Sequence, residues 1–161
     1  MQTLTPMTAD RRALHRIPEL GDELPKTMDY VQEVLGTLGC EVFFPLDSAV
    51  CAYFDFGAAD TLAFRAEMDA LPIAEQTGLP FSSQHSGRMH ACGHDGHMAM
   101  ALDLGRRLRG KEICRTTSCW CFSPPRKRPA EPDGSVKQGF LSVCASKPYL
   151  PCTSGRVFLP G

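Results

Sequence analysis

The stretch that most constrains this chain runs from Met89 to His97 and reads MHACGHDGH. Four of the five histidines lie between His85 and His97, together with Cys92 and Asp95. Any fold must therefore bring imidazoles, a thiol and a carboxylate onto one short turn. Gly93 and Gly96 let the backbone bend tightly enough for that. Cys92 and His94, two residues apart, offer a thiolate and an imidazole, a pair that suits a borderline-soft divalent metal such as zinc. Asp95 and His97 are placed to orient a ligand ring. The blander reading is a solvated His/Gly turn with Cys92 as a small buried hydrophobe. The density of donors and the placement of the glycines argue against it.

The 161 residues suit one ordinary domain, and a net charge of −1 gives no reason to expect a nucleic-acid partner. No apolar run approaches the roughly 18 residues of a membrane span. The N-terminal MQTLTPMTADRRAL lacks the apolar centre of a secretory signal. A soluble cytoplasmic protein with reduced thiols is the expectation. Composition changes near residue 112. Residues 1–111 carry 10 basic and 15 acidic side chains, whereas residues 112–161 carry 7 and 3. That last stretch also holds five of the eight cysteines and seven of the thirteen prolines.

Thr8 is a candidate cap for a first short helix, with Leu14 and Ile17 on one face and Pro18 closing it. A second helix should start near Pro25, where proline is favoured. Leu24, Met28, Val31, Leu35 and Leu38 then form an apolar stripe, and Gly39 is a natural stop. Three strand-like runs follow, Glu41 to Phe44, Ala49 to Phe56 and Thr61 to Met68. The last runs into Asp69, so Glu67 and Asp69 stand at the carboxyl end of a strand, where α/β sheets bind ligands. Alternation puts these two carboxylates on one side if the strand persists to Asp69. Residues 74–88 have no period and read as a loop. A third helix should begin within or just after the histidine motif, with Met98, Ala101, Leu102, Gly105 and Leu108 on its apolar face. Arg106, Arg107 and Arg109 complement the dipole at its end. The hairpin-like order of strands predicts an α/β sandwich with a mixed sheet.

Three motifs in this order, RRALHRIPELGDE, LAFRAEMDALPI and MHACGHDGHMAMAL, resemble the N-terminal third of metal-dependent amidohydrolases of the aminoacylase and hippurate hydrolase type, within the co-catalytic zinc peptidase superfamily. The resemblance covers about residues 8–111. It implies an incomplete α/β/α sandwich, with Cys92 and His94 as metal ligands and Asp69 as an orienting carboxylate. Glu67 stands where the family usually has Asp. The family pattern further implies two neighbouring zinc or manganese ions, a bridging water and small N-acyl amino acid substrates. It also implies a Glu-Glu pair supplying the general base, two later histidines, and assembly as a homo-oligomer.

After Lys111 the pattern stops. Where a strand like VLLVFQPAEE should follow, the chain reads EICRTTSCWCFSPPRKRPAEPDGSVKQ, and its only nearby acidic residues, Glu131 and Asp133, are not adjacent. A shift of reading frame accounts for this. Joining the wobble base of each codon to the first two bases of the next, Ile113 to Lys127 can be back-translated as LPHNVLLVFQPAEE. In the same frame Val143 to Gly161 can give RLRIEAVFALHLWPGLPPG. Residues 1–111 therefore read as the N-terminal part of a metallohydrolase domain, and 112–161 as an out-of-frame, poorly ordered tail. Such a chain lacks the general-base Glu, and missing strands would leave an open sheet edge prone to aggregation. It is either an inactive piece of an amidohydrolase or a weak metal- or partner-binding module.

Overall fold

The computed structural model describes residues 4–58, 61–111 and 117–123. In chain order it holds α1 (Pro6–His15), α2 (Pro25–Gly36), β1 (Glu41–Leu46), β2 (Ala49–Phe54), β3 (Thr61–Glu67), α3 (His94–Leu108) and β4 (Thr117–Ser123). The strands form one mixed sheet in the order β1-β2-β4-β3. β1 and β4 each run antiparallel to β2, while β3 and β4 are parallel. An α/β architecture with a mixed sheet is thus present as the sequence predicts.

Sequence explains most of the boundaries. α1 is capped by Thr5 rather than Thr8: the Thr5 hydroxyl accepts the Thr8 N–H at 3.3 Å, and Pro6 fills the first turn. α2 starts at Pro25 and has no cap from its own N-cap side chain. Glu19 supplies that function from outside, its carboxylate accepting the N–H groups of Lys26 at 3.3 Å and Thr27 at 2.8 Å. β1 runs two residues beyond the expected Phe44, and β2 ends two short of Phe56.

The core lies between the sheet and the pair α2 and α3. Register aligns Val50 with Phe122, Ala52 with Trp120, and then Phe64 with Trp120 and Ala66 with Phe122. These side chains share a face, and Val50, Ala52, Phe54, Trp120 and Phe122 pack with Val31, Leu35, Met98 and Leu102. Gly105 lets α3 come close: a Cβ there would stand 2.8 Å from Leu38 Cδ1 and 3.5 Å from both Phe54 Cζ and Trp120 Cζ3. α1 packs on α3. Asp10 ties three helices together, accepting from Arg106 and from the Tyr30 hydroxyl at 2.9 Å. Arg106 is therefore half-buried in an ion pair rather than simply a solvated helix end. Among the described residues no helix is long and apolar enough to cross a membrane.

Two expectations are corrected. The stretch after residue 111 is not uniformly unstructured, because Thr117–Ser123 forms an interior strand hydrogen-bonded on both sides. TSCWCFS supplies what such a position needs, with Trp120 and Phe122 alternating into the core. The remainder of the expected tail, 112–116 and 124–161, lies outside the described residues, as does the predicted Glu131 and Asp133 stretch. The thiols are also not all reduced: Cys51 and Cys121 form a disulfide, since antiparallel register sets them directly opposite with Cα atoms 4.3 Å apart. Cys40 and Cys92 are free.

Candidate metal centre

The site is assembled where β3 ends and α3 begins. The chain leaves β3 at Glu67 and passes through buried Met68, Asp69 and Ala70. It then makes an excursion of surface loop and returns at Met89. Leu71 and Met89 exchange backbone hydrogen bonds of 3.0 Å in each direction, which closes the excursion. This clasp returns the chain beside the end of β3. Gly93 then adopts a left-handed φ of 85° and its carbonyl accepts the N–H groups of Gly96 and His97 at 2.9 and 3.1 Å. Only glycine takes that conformation without strain, so the motif's first glycine is the hinge that starts α3.

His94 is the first residue of α3; Asp69 holds its ring and Glu67 lies beside it. Nδ1 lies 2.9 Å from both the Asp69 carbonyl and Asp69 Oδ1. A carbonyl can only accept, so Nδ1 carries the proton and the lone pair of the neutral ring sits on Nε2. That Nε2 is 3.3 Å from Glu67 Oε2, while Glu67 Oε1 takes 2.9 Å from Arg65. Both carboxylates thus lie beside the same imidazole, although β3 ends at Glu67 and Asp69 stands beyond it. Burial raises the Asp69 carboxyl above the ordinary carboxylate range, against the opposing pull of His94. Cys92 is exposed on the loop just before.

The remaining motif residues separate from this group. Asp95 is completely buried and turns to α1, where His15 Nδ1 donates to Oδ2 at 2.8 Å and Arg11 Nε approaches at 3.4 Å. It does not orient His94, because one residue further along a helix rotates the side chain by about 100°. His97 is exposed, its ring 6.0 Å from that of His94, and it borders an open cleft of about 420 Å³ with Arg11 and Met100. His90 was not singled out by sequence. It is buried, 6.4 Å ring to ring from His15, and neither ring nitrogen finds a partner among the described residues. Burial pushes its pKa down to about 4, outweighing the favourable charge of Asp95. His15 was missed as well, although it is the fifth histidine and lies inside the first motif. His85 stays apart, its Nδ1 donating to the Pro18 carbonyl at 2.8 Å.

Cys92 and His94 fit a divalent metal as a donor pair, with the His94 tautomer already set by Asp69. They do not make a closed site: no group of three or more His, Cys, Asp or Glu among the described residues is arranged to hold an ion.

Known proteins are similar to this chain in sequence and fold. Residues 63–110 match the model of peptidase family M20/M25/M40. The fold resembles a dinuclear metal-binding peptidase of the M20 family from Bacillus subtilis, with a TM-score of 0.68 and 32% identity over 88% of this chain and 39% of that one. A putative aminohydrolase from methicillin-resistant Staphylococcus aureus gives a TM-score of 0.72 and 34% identity over 85% and 36%. Over the part that matches, the chain is thus similar to metal-dependent hydrolases of that peptidase family. Among curated relatives, the N-acetyldiaminopimelate deacetylase of Halalkalibacterium halodurans is 49% identical over 128 residues, 74% of this chain and 33% of the relative. That of Geobacillus thermodenitrificans is 40% identical over 135 residues, 80% and 35%. The chain spans about a third of the length of these relatives.

Proposed function

We propose that this chain carries the ligand loop of a hydrolase that cleaves the amide bond of N-acyl amino acids. The supporting observation is the His94 ring, held by Asp69 through Nδ1 with Nε2 presented beside Glu67. Cys92 and His94 would hold a divalent metal, zinc or manganese. When bound, it supplies Lewis acidity for the attack of water on the amide. Asp69 fixes the tautomer and orientation of the ligand ring. Glu67, one methylene longer than the aspartate its family usually carries there, reaches the same ring while Arg65 restrains its second oxygen. Relatives named as deacetylases of an N-acetylated amino acid support the substrate class.

The chain with this sequence does not turn over on its own. After Lys111, where the family pattern puts its general base, it has no adjacent acidic pair. We attribute that to a frame shift near residue 112. The shifted reading places VLLVFQ over codons 117–123, the span that β4 occupies, and an acidic pair two residues after it. Resequencing the DNA across codons 110–114 tests this: a gained or lost base opens a frame continuing into QPAEE, and a confirmed frame refutes it. With the full chain as given, N-acetyl and N-benzoyl amino acids plus added zinc or manganese should yield no product. Sustained turnover would refute the loss of activity.

The alternative reading, a non-enzymatic weak metal-binding fragment, is favoured by the absence of a third donor among the described residues. Tight, stoichiometric zinc binding lost in both Cys92→Ala and His94→Ala would support a self-sufficient binding module.

A further inference from the structure

The motif RRALHRIPE has no part in metal ligation, yet its histidine is buried against the metal loop. His15 is 4% exposed and stands between two carboxylates. Its Nδ1 donates to Asp95 Oδ2 at 2.8 Å, and its Nε2 lies 3.3 Å from Glu75 Oε1. Asp95 belongs to the first turn of α3, immediately after His94. Glu75 belongs to the excursion before Met89, where it also accepts the Ser83 N–H at 2.6 Å. One imidazole therefore ties the segments on both sides of Cys92. α1 has other attachments to α3 through Leu14 and the Asp10–Arg106 pair. A buried carboxylate–imidazole pair is an expensive way to add one more, because both groups lose water. Its geometry is specific where an apolar contact is not.

We propose that His15 is a positioning residue, which sets the spacing of Cys92 and His94 by holding Asp95 and Glu75 on either side of them. This rests on the reading of Cys92 and His94 as metal ligands. His15 itself touches neither the metal nor the substrate. Loss of such an outer partner costs about 10- to 100-fold in metal affinity.

The test is a cobalt(II) titration of the full chain, read by the thiolate-to-metal charge-transfer band and accompanied by far-ultraviolet circular dichroism. Wild type should show a band that Cys92→Ala abolishes. His15→Leu should bind cobalt about 10-fold more weakly or worse, with a shifted band. His15→Asn, whose amide N–H can stand where Nδ1–H stood, should recover most of the affinity. His15→Gln, whose amide reaches toward Glu75 instead, should not. Should His15→Leu lose its helical signal, the Asn and Gln variants decide: near-wild-type binding by Asn with weak binding by Gln supports the proposal. Equal binding by the two overturns it, as does a His15→Leu chain that binds like wild type. Absence of any Cys92-dependent band in wild type overturns the ligand reading, and the proposal with it.

Discussion

Trp120 offers the sharpest test of the sheet. It is the only tryptophan, it is 1% exposed, and it sits on β4 within the stretch whose composition departs from the rest of the chain. Its ring meets Phe54 edge-on with centroids 4.4 Å apart. Burying an indole removes about 200 Å² from water, worth about 5 kcal/mol at roughly 25 cal/mol/Å². Against this, Nε1–H is buried with no partner among the described residues, a deficit of about 1–3 kcal/mol. Trp120→Ala gives up the area and leaves a cavity, so it should lose about 3–5 kcal/mol. Trp120→Phe gives up less area and removes the unpaired donor, so it should stay within about 1 kcal/mol of wild type. Urea unfolding followed by circular dichroism measures both variants. Wild-type fluorescence supplies the control: emission should be blue-shifted and protected from acrylamide until the chain unfolds. Emission typical of water in native buffer, or equal stability of the Ala and wild-type chains, would refute the seating of β4 between β2 and β3.

Other outcomes follow from the same contacts. Gly105→Ala should be within about 1 kcal/mol of neutral, because the helix-propensity gain offsets the displacement of the flexible Leu38 methyl. Gly105→Val should be destabilising by about 2 kcal/mol, since its extra methyls meet Phe54 and Trp120; a stable Val variant in thermal melts would refute the close approach. Glu19→Ala should lower stability by about 1–2 kcal/mol through the loss of the remote cap of α2, with amide exchange fastest at Lys26 and Thr27. Burial pushes the Glu75 carboxyl up, but the Ser83 N–H, the Thr77 hydroxyl and His15 more than offset it, so its pKa lies below 4.5. A depressed folded pKa contributes stability above the unfolded value that is lost as pH falls through the folded one. Limited proteolysis of loop 74–88 should therefore accelerate in wild type as pH falls below the ordinary glutamate range, and Glu75→Gln should show the faster cleavage already at neutral pH.

Periodicity carried the helices, because Val31, Leu35, Met98 and Leu102 face one core and recur at helical spacing. Strand order was legible only as a mixed sheet; that β4 inserts between β2 and β3 is a long-range pairing with no local signature. In the site, Glu67 and Asp69 were readable as carboxylates at the carboxyl end of a strand, but the side they share was not, because β3 stops at Glu67 and alternation does not reach Asp69. Asp95 and His15 were not, since their meeting depends on how α1 crosses α3 and they stand 80 residues apart in the chain. The Cys51–Cys121 pair was likewise hidden, because register across two strands decides it.

The Leu71–Met89 clasp has a consequence for tolerance to change. It separates the length of the excursion's tip, between Glu75 and Ser83, from the placement of the ligands. Doubling a closed loop costs only about 0.6 kcal/mol in closure entropy. The exposed tip at Gln76–Leu79 can therefore accept a short peptide tag or a fluorophore-bearing insert while His94 stays beside Asp69. One residue added between Met89 and Cys92 has no such buffer. It would push the thiol out of step with an imidazole that β3 and α3 hold in place. Length is free on one side of the clasp and fixed on the other.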